Sequence, residues 1–184
     1  MSIPREPEPA TLVFSILSAR FDCFWSGLKD ELAALFGPPA SESGEFAFTH
    51  TGYYDAELGS PIARRIVAFE RLIAQDELVA VKLAANALEQ EHASAGRRLF
   101  NLDPGLLTLE RLVLATGKSF THRIYLGRGI WADLTLIWQN GAWQRLPWTF
   151  PDYAGQELQA CLTGLRSAHK ARLSAWRIAA GRPA

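Results

Sequence analysis

Trp138-Gln139-Asn140-Gly141-Ala142-Trp143 is the stretch from which the fold can be read. Asn-Gly between aromatic and apolar residues is the strongest short-range hairpin signal, because a type I′ turn needs positive φ at both central positions. Working outward, Phe120 to Leu146 reads as an antiparallel meander of two or three strands, with Gly127-Arg128-Gly129 as a second turn. If Gly127-Arg128 is the centre of that turn, counting back places His122 opposite Asp133, with Lys118 on the same face and Arg123 on the other.

Thr11 to Ser18 (TLVFSILS) is a continuous apolar run with β-branched and aromatic members, which suits a central strand buried on both faces. Phe21, Phe24, Trp25, Leu28, Leu32, Leu35 and Phe36 then fall on one helical face, stopped by Gly37-Pro38-Pro39. A loop over Ala40 to Gly44 leads to an alternating strand from Glu45 to Tyr54. Ile66 to Ile73 fits both alternation and a helical face, and is taken as a strand. Asp76 reads as the N-cap of a helix reaching about Ser94, with Leu78, Val81, Ala85 and Leu88 inward. From Asp152 onward, Leu158, Cys161, Leu162, Leu165, Leu173 and Trp176 recur at helical spacing.

This order predicts an α+β fold: an antiparallel or mixed sheet ending in a β-meander, covered by about three helices and built from a ferredoxin-like core. Residues 11–180 form the expected domain, behind a flexible leader at 1–10 that holds three prolines. The end, Gly181 to Ala184, reads as frayed.

The 184 residues are 48% hydrophobic, and 19 Lys+Arg offset 19 Asp+Glu. Such a chain buries roughly 70% of the surface it exposes when unfolded, so its core needs no disulfide or metal. Zero net charge speaks against nucleic acid as a partner. No apolar run resembles a secretory signal or a membrane span, which excludes the membrane and points to a bacterial-type cytoplasm. Cys23 and Cys161, far apart within apolar segments, read as buried reduced thiols.

Polar residues cluster in four places. Tyr53-Tyr54-Asp55-Ala56-Glu57-Leu58-Gly59 puts two phenols and two carboxylates at a strand end, where sites usually lie; the plain alternative is that the phenols cap the core. Lys82, Asn86 and Glu89 share one side of a helix, a stripe that is most often solvated. Arg97 to Gly105 reads as a rigid loop, with an Asx turn at Asn101, an extended Asp103 and a type II turn at Pro104-Gly105. Arg98 there can bind an anion while Asp103 orients it, or the turn is only a stiff connector. Lys118-Ser119-Phe120-Thr121-His122-Arg123 leads into the meander, and a His122/Asp133 pair is either a general acid/base or a structural hydrogen bond.

Phosphate-loop, dinucleotide, CxxC, HExxH and GxSxG patterns are all absent, and the four histidines are scattered, so no zinc site is legible. In PWTFPDY (Pro147 to Tyr153), two prolines bracket Trp148 and Phe150 as an aromatic clamp on the last helix, with Asp152 able to cap it. Together with Tyr53-Tyr54…Glu57-Leu58-Gly59, NLDPG (Asn101 to Gly105) and LATGKSFTHRIYL (Leu114 to Leu126), this segment resembles a bacterial domain-of-unknown-function family. The resemblance runs from about Thr11 to Tyr153, with Leu58 where methionine is usual. It implies a whole-domain family and assigns no activity.

The expectation for function is a small protein binding a phosphate-bearing metabolite or nucleotide through Tyr54, Glu57, Lys82, Arg98, Asn101, Asp103, Lys118 and Arg123. Mg²⁺ is a candidate ion on Glu57 or Asp103. Were chemistry to occur, His122 and Asp133 would move the proton in phosphoryl transfer or phosphoester hydrolysis. The alternative is a non-catalytic module that holds a protein or RNA on the meander edge or the final helix.

Overall fold

A computed structural model describes residues 3–181. Strand β1 (Ala10–Ser18) is followed by helix α1 (Phe21–Phe36), short strands β2 (Pro39–Glu42) and β3 (Phe46–Ala47), one-turn helix α2 (Asp55–Leu58), β4 (Ala63–Ile73) and α3 (Leu78–Glu91). Then come β5 (Asn101–Leu107), β6 (Arg111–Thr116), β7 (Arg123–Gly127), β8 (Ile130–Gln139), β9 (Ala142–Arg145) and the long α4 (Gln156–Ala179). All nine strands join one antiparallel sheet ordered β2-β4-β1-β5-β6-β8-β7, with β3 against β4 and β9 against β8. Its first half, β2-β4-β1-β5 with α1 and α3, is a ferredoxin-like βαββαβ unit, to which the meander adds further strands.

Period-two alternation in β1 divides the core. Leu12, Phe14 and Ile16 face α1 and α3, packing with Leu28, Leu32, Val81 and Leu88. Val13 faces the other way, onto Leu158, Leu162 and Leu165 of α4. All nine β1 residues are buried, as a strand covered on both faces requires.

Several local readings change. The segment expected as a strand from Glu45 to Tyr54 pairs only at Phe46–Ala47, because its partner β4 begins at Ala63 and offers no further ladder. Residues Pro39–Glu42, expected in or beside a loop, pair with β4 instead. Asp76 lies inside a 3₁₀ turn at Gln75–Glu77, and Glu77 rather than Asp76 accepts a backbone bond, from the Ala74 N–H at 2.9 Å. Asn140 and Gly141 have the positive φ values expected, 53° and 78°. The other turn is centred on Arg128-Gly129, however, with φ of 52° and 80°. A bulge between Tyr125 and Gly127 then sets Arg123, not His122, opposite Asp133.

The largest change is at NLDPG, which is not a turn but the strand β5, paired with β1 from Asn101 to Leu107. Leu102, Leu106 and Leu107 are buried there, and that burial outweighs the turn chemistry of Asp-Pro-Gly. Gly105 lets β6 approach closely: a Cβ would stand 2.6 Å from the Val113 carbonyl and 2.7 Å from a Leu114 methyl. The β5–β6 ladder covers only Gly105–Leu107 and stops before Pro104, which has no N–H to extend it.

Cys23 is exposed and Cys161 half-buried, both as free thiols, so the expectation of two buried cysteines fails for Cys23. In the leader, Glu8 is held by Arg177 of α4 at 2.5 and 2.6 Å, and its carbonyl accepts from Gln75 at 3.0 Å. Of the leader and the frayed end, Met1, Ser2 and Arg182 to Ala184 lie outside the described residues. No helix among those described is long and apolar enough to cross a membrane.

His169 of α4 is 1% exposed. Its Nδ1 lies 2.9 Å from the Thr11 hydroxyl, which itself accepts from Arg172 at 3.1 Å. The Thr11 hydroxyl hydrogen is therefore free to donate to an unprotonated ring. Burial first, then Arg172, lowers its pKa to about 4 against the nearby charges of Glu110 and Glu8, with Arg166 also lowering it. The unfolded chain, titrating near 6.5, binds the proton that the fold excludes, so stability falls as pH drops from about 6.5 towards 4. That loss reaches about 3 kcal/mol from this group. Urea titrations at pH 7 and pH 4.5 are expected to show it, and His169→Gln should flatten the pH dependence.

Candidate functional site

Where β6 parts from β5, the sheet opens into a cleft of about 610 Å³. Past Gly105 the backbone of β5 has lost its neighbour on that side, and α3 supplies the missing partners. Lys82 Nζ donates to the Leu102 carbonyl at 2.6 Å and to Asp103 at 3.3 Å, while Glu89 accepts from the Leu102 N–H. The stripe of Lys82, Asn86 and Glu89 is thus not solvated. It faces the split sheet, and burial pushes the Glu89 carboxyl above its ordinary range.

Arg98 forms the second node. Glu57 grips it through both oxygens, at 2.6 and 2.8 Å, and Arg98 also donates to Glu89 at 3.0 Å and Asn101 at 2.7 Å. The hydrogen bond from Arg98 holds the Glu57 carboxyl below its ordinary range. Asn101 in turn donates to Asp103 at 2.7 Å. Each oxygen of Glu57 and of Asp103 accepts one hydrogen bond, so both carboxylates are already oriented by cations or an amide. Among the described residues, no three His, Cys, Asp or Glu side chains are grouped to hold a metal ion.

Of the residues singled out in the sequence, Tyr54, Lys82, Arg98, Asn101, Asp103, Lys118, Arg123 and Asp133 line this one cleft. Glu57 stands behind Arg98, and His122 stands behind Asp133, outside the lining. Asp133 accepts from Arg123 at 2.9 Å and lies 3.3 Å from His122 Nε2, so the one-residue shift in register brings Arg123 onto the face assigned to His122. His122 stacks on Trp148, with ring centres 4.9 Å apart.

The sequence reading missed the floor. Arg64 of β4 is 4% exposed and donates to Ser15, Asp152 and, at 3.0 Å, the Tyr153 hydroxyl. Its guanidinium also lies over the rings of Phe48 and Tyr153. An arginine within IVAFERLI and its flank carries no local signal that its partner is Asp152, 88 residues on. PWTFPDY consequently has another role than a clamp on α4. Asp152 pairs with Arg64, and Tyr153 packs in the α4-side core, while α4 is capped at Gly155. Trp148 and Phe150, 40% and 46% exposed, are fixed to the sheet and wall the cleft. Trp148 does so by donating to the Leu134 carbonyl at 2.9 Å, and Phe150 by stacking on Phe48.

Residues 8–169 match the domain of unknown function DUF4416. The chain belongs to this family. No curated protein and no solved structure matches it. The DUF4416 match spans every element that builds the cleft, from β1 into α4.

Arg64 and Asp152 are a buried pair, and removing one partner strands the other charge. Asp152→Asn is expected to cost about 3–5 kcal/mol in a urea unfolding experiment. The double variant Arg64→Met/Asp152→Leu should cost less than the two single changes summed. Additive losses would show that the pair is not coupled.

Proposed function

We propose that the DUF4416 cleft binds a small phosphate-bearing metabolite or nucleotide, and that the domain acts by binding rather than by catalysis. The observation that carries this reading is Lys118: of the five cations in the wall, Arg64, Lys82, Arg98 and Arg123 are each paired, with Asp152, with Asp103, with Glu57 and Glu89, and with Asp133 respectively. Lys118 is the lining cation that forms no ion pair among the described residues, its charge reaching Glu57 only at longer range. Its Nζ donates to the Tyr53 hydroxyl at 3.1 Å and lies 4.5 Å from the ring centre. A phosphate offers it a stronger acceptor than a phenol, at the exposed mouth where a ligand enters.

The binding role is favoured because the groups needed for proton transfer are already committed. His122 is pinned between Asp133 and Trp148 outside the lining, and Arg98 is neutralised by Glu57 and Glu89. Thermal-shift screening of nucleotides and sugar phosphates is expected to find ligands that raise Tm. Lys118→Ala should weaken their binding by about tenfold or more while leaving the ligand-free Tm unchanged. A screen without stabilising phosphates, or binding indifferent to Lys118, overturns this reading.

A second reading rests on β7, the edge strand of the sheet. Ile124, Tyr125 and Leu126 there are 69%, 56% and 42% exposed, an apolar run that edge strands usually avoid. It supports pairing with a protein strand. Sedimentation at increasing concentration is expected to show self-association that Ile124→Lys abolishes; a monomer at all concentrations removes the support that a second copy would give.

A further inference from the structure

The charged side chains of the cleft are largely taken up by one another, and this directs attention to the neutral groups. Two polar side chains in the lining have no hydrogen-bond partner among the described residues: the Asn86 carboxamide and the Tyr54 hydroxyl. Both are half-buried. Asn86 lies one turn beyond Lys82 and one turn before Glu89 on α3, so it projects towards the split between β5 and β6, beside the pair that caps Leu102. Tyr54 lies within electrostatic reach of Asp103, Arg98 and Arg64. Burial, then Asp103, pushes its hydroxyl up to about 12, so at neutral pH it is a donor. The polar atoms of both reach solvent, so each can exchange water for a ligand without breaking a bond within the protein.

A carboxamide presents a donor and an acceptor side by side. That pair matches the edge of a planar heterocycle carrying an acceptor beside an N–H, the pattern by which Asn reads a purine. The rings of Tyr53, Trp148 and Phe150 line the same cleft and remain 67%, 40% and 46% exposed, which leaves aromatic surface for such a heterocycle to stack on. A sugar phosphate meets the amide with single hydroxyls and the rings with C–H groups, whereas a base offers a paired donor and acceptor in one plane and a flat π face. The cleft, about 610 Å³, is within the range of pockets that enclose a drug-sized molecule.

Resting on the phosphate-binding reading above, we infer that the ligand is a free nucleotide whose base is read by Asn86 and Tyr54 and stacked on the aromatic wall, with its phosphate on Lys118. The test is calorimetry with four probes: a series of purine and pyrimidine nucleoside 5′-monophosphates, the matching nucleosides, ribose 5-phosphate, and a short single-stranded oligonucleotide. At least one nucleotide is expected to bind about tenfold or more tightly than ribose 5-phosphate. Asn86→Ala should weaken that nucleotide and its nucleoside by similar factors, about tenfold, and leave ribose 5-phosphate unchanged. Tyr54→Phe, which keeps the ring, should lower nucleoside affinity by a smaller factor. Ribose 5-phosphate binding as well as every nucleotide, with Asn86→Ala silent, overturns base reading while the phosphate site stands. An oligonucleotide that outcompetes the mononucleotides overturns the free-nucleotide form. Absence of binding by all four probes overturns both readings, provided that circular dichroism shows the protein folded.

Discussion

Lys82 and Glu89 meet the main chain of Leu102 because a proline and a glycine sit side by side in β5. Gly105 admits β6 closer than any side chain would allow, and Pro104, one residue earlier, gives the ladder no N–H with which to continue. The sheet therefore divides in its interior rather than at its rim, and dividing there exposes backbone donors and acceptors to a dry environment. Such groups must be paired. The helix that covers this part of the sheet pairs them with a cation and a carboxylate, and three further charges of the cleft are arranged around those two. Asp103 answers Lys82, Arg98 answers Glu89, and Glu57 answers Arg98.

The same network explains why a cleft with many ionisable groups is well suited to binding. A buried unpaired charge is expensive, whereas pairs that also satisfy backbone groups hold each side chain in one geometry. The opening between β5 and β6 is thus kept rigid by ion pairs on its walls and by Arg64 with Asp152 in its floor. What remains free to meet a molecule from solution is the outer rim, with Lys118 and the exposed rings, and the two neutral groups inside.

Much of the architecture was legible because hydrophobic period and turn chemistry agreed locally. β1, α1 and the Asn140-Gly141 hairpin came from such patterns, whereas the second strand of the ferredoxin-like unit, Pro39–Glu42, read as the stop of α1 and a loop. NLDPG misled because its residues are turn formers taken alone, and only their burial against β1 makes them a strand. No element was read over Arg111–Thr116, which forms β6. The site residues were found as four separate clusters, and eight of the ten named do share the cleft. His122 fell outside it because the turn is centred one residue later than counted, which shifts the pairing by two, and the bulge takes only one of those back. Arg64 and Asp152 escaped notice because each is ordinary in its own segment; only the folded chain puts them together.

The position of α4 has a consequence for the order in which the molecule comes into being. It leaves the ribosome after every strand of the sheet, and it alone supplies Leu158, Leu162 and Leu165 to cover Val13, Ile66, Ala68 and Leu107. Until it emerges, a nascent chain can complete the ferredoxin-like half on one side and still present a bare apolar face on the other. Partly made sheets of this kind are prone to associate with each other. Since α4 also carries the arginine that ties down Glu8, the arrival of one helix both closes that face and fastens the beginning of the chain.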